Sequence, residues 1–210
     1  MNLVTVPMLR AERLVVRRGG RNVIDDFALE VAAGECVGIV GKNGCGKSTL
    51  LMAIAGVLEP TEGRIAIAGA NVWGTTGQRQ KARRALGYVP EGADPPGFLL
   101  GGELWAMVAA SRGCGGPSAA LNEAMGLDEL EGLALERMSL GQRRRACIGA
   151  ALLGPPKLLV LDEPDNGLDA KRADALVELL KAHCAENKSA IVATHDRELL
   201  ERAGARVVAI

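Results

Sequence analysis

Lys47 lies in the middle of "GIVGKNGCGKSTLLMAIAG", residues 38–56, between a strand-like apolar run and a helix-like one. The spacing Gly41, Gly46, Lys47, Ser48 fits G-x-x-x-x-G-K-[ST], in which backbone N–H groups and a helix N-terminus converge on phosphate oxygens. Lys47 would reach the β- and γ-phosphates of a nucleotide, and the Ser48 hydroxyl would ligate Mg²⁺. Gly44 keeps the loop bare of a Cβ. Lys42, Asn43, Cys45 and Thr49 complete the candidate phosphate-binding loop. A glycine-rich turn without a ligand is the simpler reading, but a chance match in a chain this long is on the order of one per cent.

A second group lies downstream. In "LLVLDEPDNGLD", residues 158–169, apolar residues end at Asp162 and Glu163. Both carboxylates therefore emerge at the carboxyl end of a buried strand, where the ligand crevices of open α/β sheets lie. Asp162 would hold Mg²⁺ directly or through water, and Glu163 would orient or deprotonate a water beside the γ-phosphate. Two acids capping the next helix are the simpler alternative.

The elements that must position these groups can be read from punctuation and periodicity. Residues 3–31 read as strands split by the turn "RRGGRN", with alternation in "VIDDFALEV" that suits an antiparallel edge. A helix follows the loop at about 47–57, then a short strand in "EPTEGRIAIAG" and a helical "TTGQRQKARRAL". "GYVPEGADPPG", residues 87–97, breaks regularity, and residues 98–137 read as a helical insertion. From residue 142 the pattern is helix, strand (157–162), helix (170–182), strand (189–195), short helix and a last strand. Apolar strands alternating with helices imply an α/β fold with a mainly parallel sheet flanked by helices, beside an antiparallel β subdomain and a small helical subdomain.

At 210 residues the chain can bury one substantial core, and its 25 basic and 25 acidic residues balance. Zero net charge removes the simple electrostatic case for a nucleic-acid partner, so none is expected. The run Arg143, Arg144, Arg145 reads as a solvated helix face. Five scattered cysteines without metal-ligand spacing suit reduced thiols in a cytosol. Cys45 reads as a small filler of a tight loop, with a reactive thiol shielded by nucleotide as the sharper alternative. No apolar run approaches the roughly 18–20 residues that cross a bilayer, and no export signal opens the chain. The expectation is a soluble chain that meets a membrane only through a partner.

With both motifs in hand, the chain resembles the nucleotide-binding subunit of an ATP-binding-cassette (ABC) transporter over nearly its full length. "GKNGCGKST" (41–49) is similar to that family's Walker A loop and "LLVLDE" (158–163) to its Walker B strand. "MSLGQ" (138–142) resembles the signature LSGGQ, "NGLD" (166–169) the D-loop, and His195 in "ATHD" the switch histidine. The resemblance implies one cassette over 1–210, with a RecA-like core at about 1–90 and 142–210 and a helical subdomain at about 92–141. It implies ATP and Mg²⁺ as cofactors, Glu163 and His195 as catalytic groups, and Ser48 and Asp162 as metal ligands. It also implies that Ser139, Gly141, Gln142 and Asp169 act across a two-fold dimer, each ATP held between one chain's phosphate loop and the other chain's signature. The partners implied are a second cassette, identical or paralogous, and an integral membrane permease on a separate chain. The place implied is the cytoplasmic face of the membrane.

Three positions depart from the commonest family form. The aromatic that stacks on adenine falls at Arg18, whose guanidinium can cover a base face. Leu140 replaces a signature glycine. Glu91 in "GYVPE" stands where many members carry glutamine; a carboxylate there is a hard ligand for Mg²⁺, and the loop resembles a branch of exporters. Those departures keep open a degenerate regulatory cassette. A soluble ABC ATPase acting on ribosomes or DNA, and an ATP-gated assembly subunit, are further alternatives.

Overall fold

The computed structural model describes residues 6–210, so the start of the strand expected from residue 3 lies outside the described residues. β1 (Leu9–Arg18) and β2 (Arg21–Val31) form an antiparallel hairpin closed by Gly19 and Gly20, both in the left-handed region. β3 (Cys36–Val40) runs into the glycine loop and α1 (Lys47–Ile54). β4 (Glu62–Ile67) and β5 (Ala70–Asn71) return the chain to β1, and α2 (Thr76–Ala85) leads straight into β6 (Leu86–Val89). α3 (Gly101–Arg112) and α4 (Ala119–Met125) follow, then two 3-10 turns at Asp128–Leu130 and Leu135–Arg137. α5 (Leu140–Leu152), β7 (Leu158–Asp162), α6 (Ala170–Ala185), β8 (Ser189–Ala193), α7 (Arg197–Arg202) and β9 (Arg206–Ala209) complete the order.

The strands form two sheets. One is antiparallel in the order β2-β1-β4-β5; the other is parallel throughout in the order β6-β7-β8-β3-β9. The parallel sheet is buried on both faces, which is why β7 reads as an unbroken apolar run ending in one acid. Leu159 and Leu161 pack into a core with α3 to α6, whereas Leu158 and Val160 face a second core shared with α1 and the antiparallel sheet. Adjacent parallel strands end together, so the residues after β3, β7 and β8 meet at one rim.

Three local expectations change. The break expected over 87–97 begins later, because Gly87–Val89 pair with Leu159–Leu161 as a strand. Gly87 serves packing there rather than a turn: a Cβ on it would stand 2.4 Å from the Ala151 carbonyl oxygen. The helix expected at Gln142 starts at Leu140, since the Ser139 hydroxyl accepts the Gln142 N–H and the Gln142 side-chain oxygen accepts the Ser139 N–H. The arginine run is not a solvated face. Arg144 and Arg145 are 3% and 8% exposed, and their guanidinium groups donate to backbone carbonyls rather than to water. Arg145 donates to Met125 and Gly126 at the end of α4 and pairs with Glu129 at 2.6 Å.

Candidate active site

α2, α4, α5, α6 and α7 are each capped by a side chain, from Thr75, Ser118, Ser139, Asp169 and Asp196. α1 starts instead from Gly46, at φ 115°, with no side-chain cap. Its first-turn N–H groups are therefore left for a ligand. Gly46 is demanded twice over: no other residue adopts that φ readily, and a Cβ would meet Ile24 at 2.9 Å and Val23 at 3.0 Å. Gly41 is demanded by contact, as a Cβ would lie 2.5 Å from the Cys45 sulfur and 2.8 Å from the Ile210 carbonyl oxygen. Cys45 thus sits half-buried over Gly41, filling the loop.

Three side chains from three elements converge beside this loop. The Lys47 ammonium donates to the Gly41 carbonyl at 3.2 Å and lies 3.1 Å from His195 Nε2 and 3.9 Å from Glu163 Oε1. His195 Nε2 is 3.3 Å from the same carboxylate oxygen, and the His195 amide approaches the other at 3.4 Å. Lys47 and Glu163 are buried, while His195 is exposed. Glu163 has φ +45°, rare for a side-chain-bearing residue, and its N–H donates to Ala193 at 2.7 Å. That turn lifts its carboxylate off the strand line. Burial raises its pKa above the ordinary carboxylate value, against the opposing pull of His195 and Lys47.

Asp162 is 1% exposed, and neither carboxylate oxygen has a hydrogen-bond partner. Burial dominates the upward shift of its pKa, and the Glu91 charge adds to it. The Ser48 hydroxyl and the Glu91 amide lie near enough to favour the ionised form, yet neither closes a bond to it. An orphaned carboxylate at this depth costs free energy unless something cationic completes it. Among the described residues there is no cluster of three or more His, Cys, Asp or Glu able to cage a metal. The oxygen set Asp162, Ser48 and Glu91 suits instead a hard cation shared with phosphate oxygens.

Apart from the buried Asp162, these groups face a cleft of about 480 Å³ lined by Gly44, Lys47, Ser48, Glu91, Glu163 and His195, with Asn43, Gly46 and Thr49 from the loop. Arg18 is exposed at the end of β1, outside the lining; Val23 from β2 stands on that wall. Lys42 is exposed beside the cleft, on a neighbouring hollow with His195.

A family model described as "ABC transporter" matches residues 24–166, more than half of the chain. The chain belongs to the ABC transporter family. A cobalt import ATP-binding protein of Rhodobacter capsulatus is 34% identical over 96% of this chain and 74% of its own length. A Nod factor export ATP-binding protein of Rhizobium leguminosarum is 34% identical over 88% of this chain, which spans 60% of that relative's length. Among solved structures, an ATP-binding subunit of an ABC transporter superposes with a TM-score of 0.86 at 28% identity, over 97% of this chain and 85% of that one.

In this ABC cassette, Ser139, Gly141 and Gln142 stand at the N-terminus of α5, outside the cleft lining. Ser139 spends an acceptor on the cap and keeps its hydroxyl proton free. Leu140 is 62% exposed. Gly141 is pressed against the loop after β7: a Cβ on it would stand 2.0 Å from the Gly167 carbonyl oxygen. Asp169 caps α6 through the Arg172 N–H at 2.8 Å. Sequence reasoning missed Val23, Asp165 and Asn166 on the cleft wall. Asp165 was within reach of a motif reading, two positions beyond Glu163, and accepts the Thr194 hydroxyl at 2.7 Å. No helix among the described residues is long and apolar enough to cross a membrane.

Proposed function

We propose that this cassette hydrolyses ATP and uses the cycle to drive an integral membrane permease on a separate chain. The observation that carries the reading is the meeting of Lys47, Glu163 and His195 at the uncapped start of α1, beside an Asp162 with both oxygens unpartnered. Lys47 and the loop amides bind the phosphates, and the Lys47 ammonium leaves Glu163 and His195 when the γ-phosphate arrives. Glu163 takes the proton of the attacking water, a role suited to a carboxylate whose pKa burial has raised. His195 braces that water and the γ-phosphate. Ser48, Asp162 and Glu91 hold Mg²⁺, which when bound neutralises charge on the β- and γ-phosphate oxygens. With no covalent intermediate required, positioning and charge stabilisation carry the rate.

The cycle needs two copies, or a paralogous second cassette, because Ser139, Gly141, Gln142 and Asp169 reach only a nucleotide on the opposite protomer. A base contact falls to Val23 and Arg18. The permease sits against residues 92–110, in a groove of about 340 Å³ between β6 and α3 with Tyr88, Pro90, Ala93, Leu104 and Val108 on its walls. Exposed Phe98 and Met107 lie in the same segment. This docking puts the cassette at the cytoplasmic face of the membrane. Outward transport is the direction favoured by Glu91 in its loop.

The test is Glu163→Gln. We expect turnover to fall by about a thousandfold or more, with Mg·ATP affinity kept and a stable ATP-dependent dimer in scattering. Near-normal hydrolysis by this variant overturns the assignment.

A further inference from the structure

Behind the carboxylates, on the face of β7 away from the cleft, the Arg144 guanidinium grips the backbone of the residues that face the metal position. One terminal nitrogen donates to the Pro90 carbonyl at 2.9 Å and the Asp162 carbonyl at 3.3 Å; the other donates to the Glu91 carbonyl at 2.6 Å. Asp162 and Glu91 are the two candidate metal-ligating carboxylates, held here by their main chains; Glu91 lines the cleft, and the buried Asp162 carboxylate has Ser48 and Glu91 as neighbours. Arg144 is 3% exposed and forms no ion pair among the described residues. Nor is its charge among the causes that set the Asp162 pKa. Its contribution is therefore geometric, a planar fork spanning β6's end, β7's end and α5.

We propose that Arg144 is a positioning residue that sets the separation of the Asp162 and Glu91 carboxylates, and so the affinity of the Mg²⁺ position. The inference rests on the metal-ligand reading given above.

The fork, rather than the charge, is what the proposal requires. Lysine keeps the charge but cannot span three carbonyls from two nitrogens. The measurement is Mn²⁺ binding to the full chain by electron paramagnetic resonance, with a non-hydrolysable ATP analogue present, on wild type, Arg144→Lys, Arg144→Gln, Arg145→Lys and Asp162→Asn. Both Arg144 variants are expected to weaken Mn²⁺ binding by about tenfold, the usual scale for losing an outer-shell support. Affinity for the analogue in EDTA should be unchanged in both. Arg145→Lys, which disturbs an equally buried arginine away from the site, should leave Mn²⁺ affinity at the wild-type value. If Asp162→Asn weakens Mn²⁺ binding and the Arg144 variants do not, the positioning role is refuted. If Asp162→Asn also has no effect, the metal-ligand reading itself fails. Equal weakening by Arg145→Lys reduces the effect to general destabilisation and refutes the proposal as well.

Discussion

At the carboxyl rim of the parallel sheet, Asp162 keeps two oxygens without a partner and Lys47, Glu163 and His195 have mainly one another. Around α4 the chain also contains charge, yet there the two arginines find protein partners. Arg145 donates to the Met125 and Gly126 carbonyls and to Glu129, and Arg172 donates to the Glu123 and Ala124 carbonyls at 2.9 and 2.8 Å. Both arginines meet the end of a seven-residue helix whose last carbonyls have no intrahelical donors. The same cost, a charge taken out of water, is met by the protein in one region and left for a ligand in the other. The unpartnered carboxylate of Asp162 stands beside the candidate chemistry, whereas the paired charges of Arg145 and Arg172 hold α4 in place.

That contrast breaks most sharply at Asp162. If Asp162 holds the metal as proposed, Asp162→Asn should lower hydrolysis by at least about a hundredfold, several kcal/mol of charge stabilisation being lost. The same substitution should raise the melting temperature of the nucleotide-free protein, by roughly 2–4 °C for each kcal/mol relieved. The pH dependence has a definite sign. A carboxyl whose folded pKa is raised holds its proton better in the folded chain, so stability falls as pH climbs from the ordinary values, 3.8 for Asp162 and 4.5 for Glu163, through the raised ones. Scanning calorimetry across that window should show the decline in wild type and a shallower one in the variant. A destabilised nucleotide-free Asp162→Asn at neutral pH would place Asp162 with the completed groups.

Arg145→Met should do the reverse: a loss of about 2–3 kcal/mol in denaturant unfolding, because two carbonyls lose a charged donor, with ATP affinity unchanged. An equal fall in both quantities would mean that the two regions are not separable. The smallest effect is at His183, buried on α6 with Nε2 unpartnered and away from the cleft lining. Burial, helped by the Lys188 charge, lowers its pKa below 6.5, so the unfolded chain takes up the proton first and stability drops as pH falls through 6.5. His183→Leu should flatten thermal stability below that pH and leave ATPase activity as it was.

The incomplete region was the legible one. Gly41, Gly46, Lys47, Ser48, Asp162 and Glu163 announce themselves by local spacing, and the strands that bring them together read as apolar runs. The buried arginines were opaque for a physical reason: apart from Glu129, the partners of Arg144 and Arg145 are carbonyls, which every residue owns and no letter distinguishes. A periodicity reading sees three consecutive charges and puts them in water. Gly87 and Gly141 were opaque likewise. The former was read as part of a break and the latter as a member of a motif, while each is fixed by a backbone oxygen from a distant segment.

Gly141 and Gly167 touch with no room for a single added carbon between them. Two loops in such contact cannot slide independently; a push on one is a push on the other, as with meshed teeth. Gly167 lies four residues after Glu163, on the short turn that follows β7. A displacement at the head of α5 therefore presses on the segment that carries Glu163, the proposed water-activating acid.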